Sequence, residues 1–503
     1  MKALLVNPSQ PETFMSYKYA LGFVRKKAAL PPLGLLTVAA LLPERWSKKV
    51  VDMNVEPLTS AHLEWADLVL VSAMIVQKDS ALKVLARAGE QGVTTIAGGP
   101  LFTHLNREIE GVDHFVIGEA EESLPILLQD LDKGTAKQVY RAEDRPDLAL
   151  SPIPAWELAK LELYHSLSLQ YSRGCPFDCE FCDIVGMFGR RPRFKSPSQV
   201  LDELDRLFSL GWRGEVMFVD DNFIGGKARA QALLKRLADW QKEHGYPFTF
   251  NTQASVNLSR HPGLMALMAE ANLTSVFLGI ETPALESLRE CGKNQNRKVD
   301  LVAAVKTIQS WGISVSGGFI IGFDSDPESI FEDQISFIER AGIPTAMVGL
   351  LSVGPGTRLF NRLRDQGRLL GLPSGCNTTD TGALNFIPKM DRERLIAGYK
   401  SVLTRLYEPK AYYRRVLAFL KRSNPTRLKG RLPDLSLIRR NLAAAIRIFW
   451  RLGVIESGRR AFWGFLVKVG LTRPRMLTEA MGAAANGYHF KKMTAAFVSE
   501  ERV

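Results

Sequence analysis

Cys175, Cys179 and Cys182 stand at spacing C-x3-C-x2-C inside the run Arg173-Gly174-Cys175-Pro176-Phe177-Asp178-Cys179-Glu180-Phe181-Cys182. Three thiolates so spaced can each hold one iron of a cubane [4Fe-4S] cluster and leave the fourth iron open, whereas four-cysteine ligation closes such a cluster into an electron carrier. An open iron is a coordination site for an exchangeable molecule, and so a place for chemistry. Two other readings compete: a structural zinc site, or three unrelated buried thiols. Zinc asks for a fourth Cys or His at short spacing, and the nearest histidine, His165, lies ten residues upstream of Cys175.

The elements that must position this loop follow from the apolar pattern. Over residues 1–145, short apolar runs (Ala3 to Val6, Val50 to Met53, Leu68 to Val71, Thr94 to Ala97, His114 to Ile117) alternate with amphipathic stretches. That alternation predicts parallel βαβ units in an α/β, doubly wound, Rossmann-like sheet. Ligands of such sheets sit beyond the carboxyl ends of the strands. Those ends are Asn7-Pro8-Ser9, Ser72-Ala73-Met74, Gly98-Gly99-Pro100 and Gly118-Glu119-Ala120-Glu121. Paired glycines after a strand let a flat or bulky ligand approach the backbone.

A Pro-containing connection over 146–154 leads to six more strand patterns within 155–370: Ser168 to Tyr171, Glu215 to Val219, Phe248 to Gln253, Ser275 to Leu278, Ser316 to Ile321 and Ala346 to Leu350. Function in parallel barrels gathers at strand C-termini. The residues with chemical potential fall there: the cysteine loop, then Asp220-Asp221-Asn222, then Gln253 with Ser255 and Asn257, then Gly279-Ile280-Glu281-Thr282-Pro283. Gly318-Phe319-Ile320-Ile321-Gly322-Phe323-Asp324 and Gly354-Pro355-Gly356-Thr357 complete the set. Asp220 and Glu281 directly follow apolar strands, which favours a contact with ligand over a solvated loop acid. Arg190, Arg191 and Arg193 read more simply as a solvated charge run.

The cysteine spacing, with aromatic Phe181 just before the third cysteine, resembles the radical S-adenosylmethionine superfamily. The resemblance implies a partial (β/α)6 barrel and a cluster whose open iron chelates S-adenosyl-L-methionine. Asp220 and Asp221 stand where the family usually has a Gly-Gly-Glu motif for the methionine amino group, a departure that keeps a carboxylate near an ammonium. Gln253, Ser255 and Asn257 are then ribose contacts, and Gly318 to Gly322 resembles the G-x-I-x-G segment that meets adenine through backbone atoms. The order of the two segments resembles cobalamin-dependent radical enzymes. Ser72-Ala73-Met74 and Gly98-Gly99 match the S-x-L and G-G elements of cobalamin folds, with Met74 in place of leucine, and Gly118 and Glu119 join them as cofactor contacts. The D-x-H-x-x-G histidine that binds cobalt from below has no counterpart, since His62 is the first histidine of the chain. The text from Tyr171 to Ile184, with the basic C-terminal extension, looks most like the branch containing hopanoid ring-A methylases.

The length of 503 residues suggests two or three domains, and 46% hydrophobic with 23% charged residues is a globular composition. Of five cysteines, Cys291 and Cys376 are left as structural thiols, which implies a reducing cytoplasm. The N-terminal run Met1-Lys2-Ala3-Leu4-Leu5-Val6 reads as a first strand rather than a signal peptide. The net charge of +12 is concentrated: residues 409–492 carry 19 Lys and Arg against three acids. That places the basicity in one surface of the 371–503 extension, so no nucleic-acid partner is expected. Over 435–455, Ile438, Leu442, Ile446 and Phe449 share one helical face and Arg440, Arg447 and Arg451 another; residues 459–471 repeat the mixture with more aromatic weight. Such helices either pack on the barrel or lie peripherally at the inner face of a membrane, and neither run is long enough to span one.

The family likeness implies methylation of an unactivated carbon, of a small-molecule or lipid-like substrate. One S-adenosylmethionine supplies the methyl group through cobalamin; a second is reductively cleaved, with electrons from an external flavodoxin or ferredoxin, to an adenosyl radical that removes substrate hydrogen. No protein nucleophile is needed, which fits the lack of an evident triad. The rivals are radical oxidation, rearrangement or cyclisation without methyl transfer, and a cobalamin- or cluster-sensing protein.

Overall fold

In the computed structural model, which describes residues 1–376, 378, 380, 384–423 and 435–499, β1 (Lys2–Asn7), β2 (Ser47–Asp52), β3 (Leu68–Ser72), β4 (Thr94–Gly98), β5 (His114–Ile117) and β6 (Val139–Arg141) form a parallel sheet. Its order is β2-β1-β3-β4-β5-β6. Both faces are buried, as helices on either side require. Leu4, Val6, Val69 and Val71 pack with Val84, Leu101 and Phe102 on one face; Ala3, Leu5, Leu68 and Leu70 pack with Leu35, Leu124 and Leu127 on the other.

The second sheet contains β7 (Ser166–Leu169), β10 (Glu215–Phe218), β11 (Thr249–Ala254), β12 (Leu273–Glu281), β13 (Ser314–Ile321) and β14 (Thr345–Leu350). It is parallel and runs β14-β13-β12-β11-β10-β7, an open barrel with β7 and β14 at its edges. Between β7 and β10, the short strands β8 (Ser172–Arg173) and β9 (Arg193–Phe194) pair antiparallel. Alternation along the strands sends Leu167, Leu169, Val216, Phe218 and Phe250 into the helical layer and turns Ser166, Ser168, Asn251, Ser275 and Ser316 inward.

The C-terminal extension consists of helices Arg392–Leu406, Pro409–Arg422, Leu435–Ile448, Arg459–Thr472 and Leu477–Ser499, with π-helical turns at Phe449–Ile455. It shares the barrel's core. The Tyr399 and Tyr407 hydroxyls donate to the Val348 and Ala346 carbonyls of edge strand β14, at 2.8 and 2.5 Å, and Tyr407 stacks on Phe490 with centroids 5.0 Å apart. The extension therefore covers an edge that would otherwise invite pairing.

Of the two placements open to the helix Leu435–Ile448, packed on the barrel or apolar face outward, Leu442 and Ile446 take the second. Ile438 and Arg440 lie outside the described side chains. Leu442 and Ile446 are 60% and 59% exposed, whereas Arg447 Nε donates to the Phe23 carbonyl at 2.6 Å and Arg451 Nε to the Tyr488 hydroxyl at 2.9 Å. Backbone and hydroxyl acceptors on neighbouring elements draw these arginines towards the protein and leave an apolar face outward. Among the described residues, no helix is long and apolar enough to cross a membrane.

The long C-terminal helix is tied to the N-terminal segment by His489, which is fully buried and whose Nε2–H donates to the Phe14 carbonyl at 3.0 Å. Burial pushes its pKa down from 6.5 to about 4. Between those values the unfolded chain takes up a proton that the folded chain refuses, so stability falls as pH drops through this window. The loss reaches about 3 kcal/mol. His489→Gln keeps an amide donor but cannot titrate, and should flatten urea-unfolding midpoints between pH 6.5 and 4; an unchanged slope would assign the titration to another group.

Candidate active site

The cysteine loop leaves β8, turns through Gly174 and returns by helix Ile184–Phe188 to β9. Gly174 has φ +96°, and a Cβ there would stand 2.9 Å from the Gly189 carbonyl oxygen, so only glycine fits. The Glu180 N–H donates to the Cys291 carbonyl at 2.9 Å and the Leu359 N–H to the Glu180 carbonyl at 3.0 Å. Arg362 grips the Glu180 carboxylate at 2.7 and 2.9 Å. Cys179 is buried and Cys175 and Cys182 are half-buried. Burial raises all three thiol pKa values, that of Cys182 to about 12. Among the described residues, no three Cys, His, Asp or Glu side chains converge tightly enough for one metal ion.

Lys293 lies beside the cysteines and bonds Glu281 Oε1 at 2.6 Å. Burial opposes its charge, but Glu281 and Cys179 together hold its pKa above the ordinary lysine value. Glu281 adopts φ +65°, a strained conformation for a residue with a Cβ. Nothing in the sequence pattern marks Lys293 or the nearness of Cys291, because both follow a helix that returns to the loop only in three dimensions.

Asp220 corrects a sequence expectation. It is fully buried; Oδ1 accepts from the Tyr171 N–H at 2.8 Å and Oδ2 from the Ser172 hydroxyl at 2.9 Å. Both oxygens are committed to the strand feeding the cysteine loop, so Asp220 positions the loop rather than meeting an ammonium. Burial pushes it up to about 7 despite those bonds. Asp221 Oδ2 accepts from the Gly174 N–H at 2.7 Å, and burial pushes it up to about 6. At the end of β11, the Ser255 hydroxyl donates to Asn257 Oδ1 at 2.5 Å. Phe181 packs on Phe323, centroids 6.1 Å apart. Gly318 lies under Phe277, whose Cζ would be 2.8 Å from an added Cβ, and Gly322 has φ +114°.

A cavity of about 2010 Å³ joins the two domains. Asn7, Ser9, Ser72 and Met74 line it from the first sheet; Ser168, Met217, Gln253, Phe277 and Met347 line it from the barrel. Its lining does not include the three cysteines, Asp220, Asp221, Ser255, Asn257, Glu281, Gly318 or Gly322. Gly98, Gly99, Gly118 and Glu119, expected to touch ligand, also lie outside it. Gly98 and Gly99 are packed by protein: added Cβ atoms would stand 3.2 Å from the Val116 oxygen and 2.8 Å from the Ser72 hydroxyl oxygen respectively. The Gly118 N–H donates to the Thr103 hydroxyl at 3.1 Å. Glu119 is spent on ion pairs with Arg173 and Arg193, at 2.7 and 2.6 Å. Arg193, read as solvated, is therefore half-buried in a pair.

Comparison with known proteins gives three matches in chain order. The B12 binding domain matches residues 24–128, the Radical SAM superfamily residues 169–338, and a domain of unknown function (DUF4070) residues 357–502. An uncharacterized methyltransferase of Synechocystis sp. is 41% identical over 97% of this chain and 91% of its own length. The hopanoid C-2 methylase of Rhodopseudomonas palustris is 35% identical over 93% and 89%. The chain belongs to the cobalamin-dependent radical S-adenosylmethionine enzymes. The fold agrees: the cobalamin-dependent radical enzyme OxsB superposes with a TM-score of 0.62 at 14% identity, covering 100% of this chain and 81% of OxsB. The methyltransferase TsrM from Kitasatospora setae superposes at 0.61 and 14%, covering 96% and 99%.

This enzyme is a radical C-methyltransferase whose cofactors are a [4Fe-4S] cluster, S-adenosyl-L-methionine and cobalamin. Its residues fit them. One buried and two half-buried thiols with an adjacent ammonium suit an anionic cluster, and a cavity well above the usual 300–1,000 Å³ has room for a corrin beside a nucleoside. His165, before β7, is the histidine in the described lining, and it belongs to the barrel rather than the cobalamin domain. Gly99→Val tests the cobalamin side. At φ +88° the substitution costs about 1–3 kcal/mol in strain and overlap, and it displaces Ser72 and Ala73 from the cavity wall. Purified protein should lose bound cobalamin by absorbance while keeping iron and sulfide; loss of both together would show global damage instead.

Proposed function

We propose that the enzyme methylates an unactivated carbon of a lipid-like, hopanoid-type substrate held in the inter-domain cavity. The cavity carries this reading: its walls include Met217, Phe277, Met347, Leu466 and Met481, an apolar lining long enough to reach from the cobalamin domain through the barrel to the C-terminal helices. The relationship to a hopanoid C-2 methylase supports the same substrate class. When bound, the cofactors supply a methyl group and one-electron cleavage of S-adenosylmethionine.

The chain's own residues bind, orient and exclude water. Asp220 and Asp221 hold the entry of the cysteine loop, Tyr171 to Gly174, to the end of β10; Ser168 and Gln253 offer polar contacts inside the barrel; the extension closes its side. Such positioning is what a radical step needs, because a misplaced carbon or admitted water diverts it. Electrons come from an external flavodoxin- or ferredoxin-like donor, and five free cysteines suit a reducing cytoplasm. The basic extension supports peripheral contact with the membrane.

Anaerobically reconstituted enzyme given a hopanoid without ring-A methyl groups should add one methyl. S-adenosylhomocysteine and 5′-deoxyadenosine should form in equal amounts. Deoxyadenosine without matching S-adenosylhomocysteine would replace methylation by radical oxidation or rearrangement, and no turnover of the hopanoid would remove the substrate class.

A further inference from the structure

Between residues 442 and 477, ten large apolar side chains are each at least 37% exposed. Five of them, Leu442, Phe449, Trp463, Val467 and Leu477, also line the large cavity. The cavity's mouth and this apolar surface are therefore one continuous feature. Behind it, the lining includes the first residues of four barrel strands, Ser166 of β7, Glu215 of β10, Ser314 of β13 and Thr345 of β14, so the mouth leads into the barrel from the N-terminal ends of its strands.

The surface is also chemically particular. Arg447 bonds the Phe23 carbonyl and Arg451, 40% exposed, bonds the Tyr488 hydroxyl and pairs with Glu456, so both charges are partnered within the protein beside the exposed Leu442, Ile446 and Trp450. Arg459, Arg460, Lys468 and Arg475 of the next helix and turn stay exposed. Apolar and tryptophan side chains with nearby cations match the two layers of an anionic membrane surface, acyl chains beneath phosphates. A soluble protein partner would not require cations beside the mouth, and solvent would penalise so large an apolar area.

We infer that this mouth docks on an anionic phospholipid bilayer and admits a membrane lipid into the barrel from the N-terminal ends of its strands. The inference rests on the lipid-like substrate proposed above and adds the route and the surface.

The test uses the reconstituted full chain with vesicles of phosphatidylcholine and phosphatidylglycerol whose acyl chains are brominated. Docking brings Trp450 and Trp463 to the acyl chains, so tryptophan emission should be quenched; Trp450→Phe and Trp463→Phe should each remove part of the quenching and together most of it. Arg459→Gln with Arg460→Gln should weaken vesicle binding by on the order of tenfold at low salt. Three outcomes overturn the proposal: no binding to these vesicles, binding without tryptophan quenching, or a dimer in solution that persists with vesicles and keeps the two tryptophans covered. Substrate and route separate cleanly. Methylation of detergent-dispersed hopanoid by a chain that ignores vesicles sinks the route alone; quenching by vesicles without hopanoid methylation sinks the substrate alone.

Discussion

Alanine at Cys175, Cys179 or Cys182 should abolish reductive cleavage of S-adenosylmethionine and strip most of the iron, while Cys291→Ser should preserve both. The contrast matters because Cys291 is close enough to Cys179 for their charges to couple, and its carbonyl holds the Glu180 N–H at 2.9 Å. A fourth thiolate would close the cluster and leave no iron for substrate. Cys291 Sγ instead donates to the Leu288 carbonyl at 3.8 Å, within its own helical turn, and burial holds the thiol up at about 12. Iron and sulfide analysis, with 5′-deoxyadenosine formation under dithionite, reads the two roles apart. A Cys291→Ser protein that lost its cluster would make the site four-coordinate and end the open-iron reading, as would any of the three alanine variants that still made deoxyadenosine.

Much of this was legible in the chain because strand signals are local. The run from His114 to Ile117 is the strand β5, and Leu68 to Val71 is β3 short of its last residue. Val139–Arg141 escaped because a three-residue strand leaves no alternation to read. Strand β12 was read as ending at Leu278 but runs to Glu281, since Gly279 looks like a breaker. The motif revealed the three cysteines, yet side-chain partners depend on the fold. Asp220 looked like a ligand contact because it follows a strand at the working end; only the packing of Tyr171 and Ser172 against it shows where its oxygens go. The small inward residues Ser166 and Ser168, with Ser314 and Ser316, did carry a period-two signal for an internal cavity. For the helix Leu435–Ile448 the period was legible and the direction stayed open, because a helical pattern separates two faces without saying which one is covered.

Arg173→Leu should be the most destabilising single change at the domain interface. Arg173 precedes the cysteine loop and pairs with both Glu119 and Glu121 of the cobalamin domain, at 2.7 and 2.6 Å; Arg193 supplies a second contact to Glu119 at 2.6 Å. The carboxylate side chains are only 4% and 3% exposed, so neither water nor salt substitutes for the guanidinium. Removing one member of such a set costs about 3–5 kcal/mol, mostly for the charge left behind, whereas removing both members is often close to neutral. Arg173→Leu with Glu121→Leu should therefore recover stability relative to Arg173→Leu alone, as measured by urea unfolding. The pH dependence has a definite sign. Burial acts to raise the Glu121 pKa, but the Arg173 hydrogen bond and charge outweigh it and hold the carboxyl below its ordinary value. The wild-type pair thus contributes stability above the unfolded carboxyl pKa and loses it as pH falls. Without Arg173, only the Ser151 hydroxyl and a backbone hydrogen bond still favour the charged form against burial, so the stability gap between Arg173→Leu and wild type should narrow towards low pH. A gap that stayed constant would mean that Glu121 finds another cation. If instead the double variant regained full stability yet still failed to cleave S-adenosylmethionine with cluster and cobalamin both bound, the ion pairs would be shown to set the loop's position against the cobalamin domain rather than merely to hold the fold.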